Sequence, residues 1–504
     1  MSIRFRKILL LLLAIALLTG AGFVQNSLNR DRDRLGLTHI QPLENAPPML
    51  AFTTVALGGF RGLISNMLWI RANELQEDDK FFEMVQLSDW ITKLEPHFAQ
   101  VWAFEAWNMA WNISVKFKDF PDRWRWVQRG IELLRDEGLR YNPDNILIHR
   151  ELAWLFENKM GAGLDDASTY YKEQWAREMM QIFGRKKLNL DELVHPQTED
   201  EKARAQLLRE KYKMDPQFIK EVDERYGPLE WRLPEASAIY WAALGLKRAE
   251  ENPSRINKED LIMVRRAIYQ SMLVTFQRGH LIESPLQGGG FNTGPNLDII
   301  PKVNDSYEEM MKEADEKYHA NIATGHRHFL RDAVYFLYVN GRTADAAKWY
   351  KYLAEKYPNQ PILDYNTNSL PATLALDEYA FARVQGDVIE TAHDRIENAI
   401  EGLLFNSYQS LIQDEDDRAA NFKLLAQKVW TTYQSKIFKE RRSAVGLRPL
   451  PEIDREILDR MLNPQEGLLP EIRAVLRTKL GLPAETTNAP PAITKAPAST
   501  QPPK

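Results

Sequence analysis

Apolar residues follow three regimes along this chain. After Arg4, Arg6 and Lys7, an unbroken apolar run begins at Ile8 and continues to Val24. Basic residues ahead of such a run are the export signature, with the positive end kept in the cytoplasm. A full span needs roughly 20 residues, and Phe23 and Val24 carry the run past the small residues Thr19, Gly20 and Ala21, so an uncleaved anchor is predicted over a cleaved leader. Residues 25–45 are polar and charged without periodicity, as in a spacer. From residue 48 onward apolar positions recur at helical spacing, beginning with a stretch over 48–70. Its Gly58, Gly59, Arg61, Gly62 and Asn66 would be costly in lipid, so it reads as the first helix or two of the folded body.

The helical pattern repeats. Over 328–358, Asn340-Gly341-Arg342 separates two helical stretches, and Ala346, Tyr350 and Pro358 follow. Paired antiparallel helices need a small residue at their crossing, an aromatic to fill the gap and a proline to end the second helix. Three degraded relatives occupy the first third. One has Ala72 at the crossing, closes on Leu94-Glu95-Pro96 and carries Asp79 where a glycine usually separates the helices. The next has Trp102 and Ala106 in its first helix, an insertion around 116–123, and Asn142-Pro143 as its end. The third has Leu152-Ala153, a Gly161-Ala162-Gly163 turn, then Ala167 and Tyr171. A further pair is expected over 234–277, built on Ala236, Tyr240, Ala243 and Gly245, then Val264, Ala267, Ile268 and Ser271. Residues 374–436 keep helical spacing without a clear repeat register.

These units resemble tetratricopeptide repeats. The resemblance covers about half the chain and implies an all-α fold, a superhelix of helix pairs behind an N-terminal transmembrane or signal-anchor helix. The expected organisation is an anchor over 1–25, a spacer over 26–47, a first repeat block over 48–185, a charged helical insertion over 186–227, a second block over 228–482, and a Pro/Ala/Thr-rich disordered tail over 483–504. Residues 186–215 read as a long surface helix or an insertion. The four glycines and three prolines of 282–301 read as a long ordered loop.

Composition narrows the function classes. A net charge of −5 with interspersed signs leaves no electrostatic footprint for nucleic acid. The chain has no cysteine, which excludes disulfides, thiolate nucleophiles and zinc ribbons.

The strongest local anomaly is aromatic. Trp90, Trp102, Trp107, Trp111, Trp124 and Trp126 fall within 37 residues, six of the chain's 13 tryptophans. A helix carrying Trp102, Phe104, Ala106, Trp107, Met109 and Trp111 is apolar nearly all round, the pattern of a helix packed between neighbours. A groove stacking peptide aromatics or sugar rings is the second reading. Arg123, Arg125, Arg129 and Arg140 could clamp a carboxylate or phosphate, although Asp122, Glu132 and Asp136 stand ready to pair with them on a solvated face. The speculative partner-binding set is therefore Trp107, Trp111, Trp124, Trp126, Arg123 and Arg125.

No catalytic, cofactor or metal site is expected. His319, His326 and His328 cluster, but Gly325 is expected to interrupt their helix and no second cluster completes a ligand set. Gly288-Gly289-Gly290 lacks the Lys-Ser/Thr of a phosphate cradle. Asp78-Asp79 and Asp416-Asp417 are adjacent pairs in loops or at helix ends, unlike opposed glycosidase acids.

The function expected is a non-catalytic scaffold in the inner (cytoplasmic) membrane, single-pass, with its body on the periplasmic side. It would bind a protein or peptide partner in a cell-envelope process such as secretion, pilus assembly or polysaccharide export. The alternative is an all-helical glycan-binding or glycan-processing protein using the Trp-rich region 90–126.

Overall fold

A computed structural model describes scattered positions between 13 and 31 and then residues 61–484, apart from 162–163, 185–188, 252–257, 284–290, 364–365, 367, 390–392, 437–446 and 466. Most of the anchor run 8–24, the spacer, nearly all of the tail and Gly288-Gly289-Gly290 lie outside the described residues, as do Ala162 and Gly163. Among the described residues no helix is long and apolar enough to cross a membrane.

Among the described residues the fold is all-helical apart from one small hairpin, and it divides into two compact units, Met1–Val101 and Trp102–Lys504. In the first unit, α1 (Arg61–Glu77) and α2 (Phe81–Leu94) form an antiparallel pair. Ala72 and Leu75 of α1 are buried, as are Phe81, Met84 and Ile91 of α2.

The chain continues from α3 (Ala99–Trp107), whose residues from Trp102 on belong to the second unit, through a π-helical turn (Asn108–Ile113) to α4 (Phe120–Glu132). A second π turn (Leu133–Gly138) and a short turn (Leu139–Tyr141) lead to α5 (Ile146–Trp154) and a third π segment (Leu155–Gly161). Then come α6 (Ser168–Phe183), α7 (Asp191–Val194), α8 (Glu199–Glu210), α9 (Pro216–Tyr226), α10 (Pro234–Glu251) and α11 (Lys258–Arg278). The later helices are α12 (Ile300–Glu313), α13 (Glu316–Val339), α14 (Thr343–Lys356), α15 (Leu376–Ile389), α16 (His393–Ile412), α17 (Asp416–Lys436), α18 (Leu450–Leu462) and α19 (Pro470–Lys479).

Three helix pairs close in the same way. In the α1–α2 turn Asp79 takes φ 59°, with Asp79 N–H donating to Gln76 O (3.1 Å) and Lys80 N–H to Leu75 O (2.8 Å). Gly341 repeats this between α13 and α14 at φ 80°, with bonds to Tyr338 O (3.1 Å) and from Arg342 to Leu337 O (2.9 Å). Asp414 repeats it between α16 and α17 at φ 60°, bonding Leu411 O (3.2 Å), with Glu415 bonding Ser410 O (2.9 Å). This double bond satisfies the last carbonyls of a helix and requires a left-handed residue, which glycine adopts freely and aspartate tolerates. Asp79 thus occupies the conformation of the inter-helix glycine it replaces.

The pair expected over 234–277 is α10 and α11, with Ala236, Tyr240, Ala243, Gly245, Val264, Ala267, Ile268 and Ser271 all buried. At the C-terminal end Ile400, Leu404, Leu425, Val429, Ile453, Ile457, Leu468 and Leu476 form one core across α16 to α19.

Three expectations change. The charged stretch after residue 186, expected as a long surface helix or an insertion, consists of the three short helices α7, α8 and α9. Leu193, Ala205, Leu208, Tyr212 and Ile219 bury their inner faces, so the segment packs on the body despite its charge. The Gly/Pro-rich loop includes strands β1 (His280–Glu283) and β2 (Phe291–Gly294), paired antiparallel. Gly325 does not interrupt a helix. It lies within α13, where a Cβ would make only an ordinary contact with the Tyr307 ring at 3.5 Å.

Candidate functional site

Helix α4 buries a stripe of Arg123, Trp124, Val127, Gly130 and Ile131 at helical spacing. A Cβ at Gly130 would lie 2.9 Å from Ala106 O, so only glycine lets α4 approach the α3 backbone this closely. That approach carries Arg123 and Trp124 inward, while Arg125 points out and pairs with Asp122 (2.8 Å). Trp126 is half-buried against Phe117, with ring centroids 6.3 Å apart. Trp111 is half-buried against Trp154 at 5.1 Å, and Trp107 is half-buried. The six residues singled out in the sequence therefore do not converge. Arg123, Trp111 and Trp124 border a buried ionic node, Trp107 is half-buried elsewhere on α3, and Arg125 and Trp126 lie toward the outer face of α4.

The centre of that node is Lys159, a side chain with 0% exposure on the third π segment. Its ammonium donates to Asp165 Oδ2 and lies 4.4 Å from the centre of the Trp111 ring. Arg123 donates to Asp165 Oδ1 (2.7 Å) and pairs with Asp166 (2.7 Å), and the Ala167 N–H also reaches Asp165 Oδ1 (2.8 Å). Two cations thus meet two carboxylates. Burial works to raise the pKa of Asp165, but its bonds from Lys159 and Ala167 and the charge of Arg123 outweigh it and hold the carboxyl below its ordinary range. Burial likewise pulls the Lys159 ammonium down, against the pull of Asp165.

Glu157, two residues before Lys159, leaves the opposite side of the same helix, which is buried all round. With the Gln270 amide oriented to satisfy both neighbours, Gln270 donates to Glu157 Oε1 (2.8 Å) and accepts from Arg266 Nε (3.2 Å). Burial pushes the Glu157 carboxyl up to about 7, with Arg266 opposing.

Further along the same helices a cavity of about 780 Å³ opens, a volume typical of ligand sites. Its cationic lining is Arg135, Arg140, Lys211, Lys213 and Arg248, against the acids Glu132, Asp136 and Glu210. His149 and Trp241 form a stacked wall, ring centroids 6.4 Å apart. His149 sits where it does because α10 carries Gly245: a Cβ there would come within 2.8 Å of the His149 Cβ. His149 is 2% exposed, and burial drives its pKa down to about 4, so the ring is neutral at physiological pH. Its Nε2 faces Pro143 O at 2.9 Å and must carry the proton, leaving Nδ1 a buried acceptor without a partner.

Not all of the cations are committed to protein partners. Arg135 holds Asp136 through two bonds (2.6 and 2.7 Å), Lys211 reaches Glu178 (3.2 Å) and Arg248 reaches Glu251 (3.0 Å). Lys213 is exposed and makes no ion pair among the described residues. Its backbone is left-handed, φ 54°, a conformation costly for a lysine.

Sequence reasoning singled out Arg140, Glu132, Asp136 and Pro143 among the lining residues but did not see the cavity they share. Its walls come from positions between 132 and 248, and no local spacing links them. The His319, His326 and His328 cluster is dispersed: His326 is buried between Asn304 Oδ1 (2.9 Å) and the Tyr357 hydroxyl (3.0 Å), and His319 reaches Ala314 O (2.9 Å). Among the described residues no group of side chains could hold a metal ion.

Comparison with protein-family models, with curated proteins and with solved structures finds no match to this chain.

Proposed function

We propose that this chain is a membrane-anchored, tetratricopeptide-like helical scaffold that holds a protein or peptide partner in a cell-envelope process of the secretion, pilus or polysaccharide-export kind. Its body stands on the periplasmic side of the cytoplasmic membrane, and its role is to bind without chemistry. The leader run 8–24 supports the anchoring, and the three helix pairs that close on a left-handed residue support stacked helix pairs in a superhelix. The cavity beside His149 and Trp241 carries the reading: it is large enough for a segment of a partner, and Lys213 on its rim makes no ion pair among the described residues. The glycan alternative draws no support from it, since none of Trp107, Trp111, Trp124 and Trp126 lines the cavity.

The test is photo-crosslinking of the full chain in native membranes, with the reactive group at Leu244 on the cavity wall and, as a control, at exposed Lys351. A discrete protein adduct from Leu244 alone is expected. Adducts of equal yield from both positions, or none from Leu244, overturn the assignment.

A further inference from the structure

Three features of the cavity, taken together, specify what it accepts. The lining is net basic, five cations to three acids, and with Arg135, Lys211 and Arg248 paired to Asp136, Glu178 and Glu251 it is Lys213 that is placed to meet a ligand's negative charge. His149 Nδ1 is a buried acceptor with no donor, so the ligand must also present an N–H or O–H. The space, about 780 Å³, is far larger than a single inorganic oxyanion.

Lys213 adds an independent sign. At the end of α8, Lys211 N–H bonds Leu207 O (3.0 Å) and Met214 N–H reaches back to Leu208 O (3.2 Å), which forces the residue between into the left-handed region. Asp79, Gly341 and Asp414 show what this chain puts at such points elsewhere, namely glycine or the tolerant aspartate. Here it places a lysine, on the rim of the cavity and without an ion-pair partner among the described residues. Tyr212 and Met214 on either side are each 2% exposed and pin the turn, so the strain is held by the packing around it.

From this we infer that the cavity receives an acidic peptide segment, its carboxylates meeting Lys213, Arg140 and Arg248 and a backbone N–H meeting His149 Nδ1, with Trp241 as the apolar wall. The inference rests on the scaffold reading and names the chemistry of its partner. A peptide supplies carboxylates and N–H donors on one extended chain, which inorganic phosphate does not.

The test uses the full chain in nanodiscs and a short fluorescein-labelled peptide rich in Glu and Asp, its Gln/Asn counterpart, and inorganic phosphate as competitor, read by anisotropy. The acidic peptide is expected to bind at least about tenfold more tightly than the neutral one, with affinity falling as salt screens the charges. Lys213→Gly is expected to weaken it about fivefold while raising the melting temperature, and Lys213→Arg to keep the affinity within about twofold. Equal binding of both peptides, Lys213→Gly without effect on affinity, or phosphate displacing the peptide at equimolar concentration each overturns the inference. If no peptide binds yet the Leu244 crosslink captures a protein, the acidic class falls and the scaffold stands. If neither is seen, both fall.

Discussion

At Lys159 every cation lies within bonding reach of a carboxylate, whereas at the cavity beyond it Lys213 has no ion pair among the described residues. The two sites are built from the same helices: α4 and its π turn, α5 and its π segment, and the elements packed on them. Lys159 and Asp165 are sealed, at 0% and 2% side-chain exposure, and with Arg123 and the solvent-facing Asp166 they pair two cations with two anions. The cavity has one strained lysine, Lys213, without an ion pair among the described residues, and a buried imidazole without a donor. Buried charge survives only when partnered, so the node serves the fold, and the unmet groups of the cavity are those that ligand can satisfy.

Asp165→Asn tests the closed side of this contrast most severely. It keeps the shape but leaves Lys159 buried without its counter-charge, and a loss of about 3–5 kcal/mol in urea unfolding is expected, with peptide affinity of the remaining folded protein unchanged. A loss below about 1 kcal/mol would mean that the node is not the sealed unit described.

The pH dependence separates the two sites next. Folded Glu157 takes up its proton at about 7 and the unfolded residue at 4.5, so between those values the folded state holds more protons and stability falls as pH rises. His149 and His326 act in the opposite sense. Their folded pKa of about 4 lies below the unfolded 6.5, so their stability is present above 6.5 and lost as pH falls toward 4. Relative to the parent, Glu157→Gln should therefore gain stability across that pH interval, by up to about 3 kcal/mol, in chemical denaturation at a series of pH values. Parallel profiles for the two proteins would refute the buried, proton-holding state of Glu157.

Gly245→Ala strikes the wall of the cavity. The added methyl falls on His149, so a loss of about 1–3 kcal/mol is expected in thermal unfolding, accompanied by weaker peptide binding. Gly130→Ala, which presses on Ala106 O instead, should cost stability while leaving affinity intact.

The smallest effect has the opposite sign. Lys213→Gly should stabilise the protein by about 1 kcal/mol by relieving its left-handed backbone, measurable as a raised melting temperature. A destabilised Lys213→Gly would show that the lysine is there for the fold and would erase the contrast between the two sites.

Much of the helical framework was legible locally. The α10–α11 pair follows from apolar spacing over 234–277, and the Asn340-Gly341 turn from a residue type that one backbone conformation demands. The register of Asp79 was legible too, since it stands where glycine is expected and adopts glycine's geometry. The β hairpin was not, because its pairing joins residues on either side of a glycine-rich stretch without alternation. Trp111, Trp124 and Arg123 were named as candidate partner-binding residues beside a first reading of the tryptophans as core, and they border a buried node whose other members, Lys159 and Asp165, carry no mark in their own neighbourhood.

The sequence by itself therefore determined the helices and the places where their pairs turn, because helical period and left-handed stops depend on residues within a few positions of one another. Tertiary structure alone decided which charges are sealed and which are offered to a ligand. That choice depends on whether a counter-charge arrives from a distant helix: Asp165 reaches Arg123 across 42 positions, while Lys213 meets no such partner among the described residues.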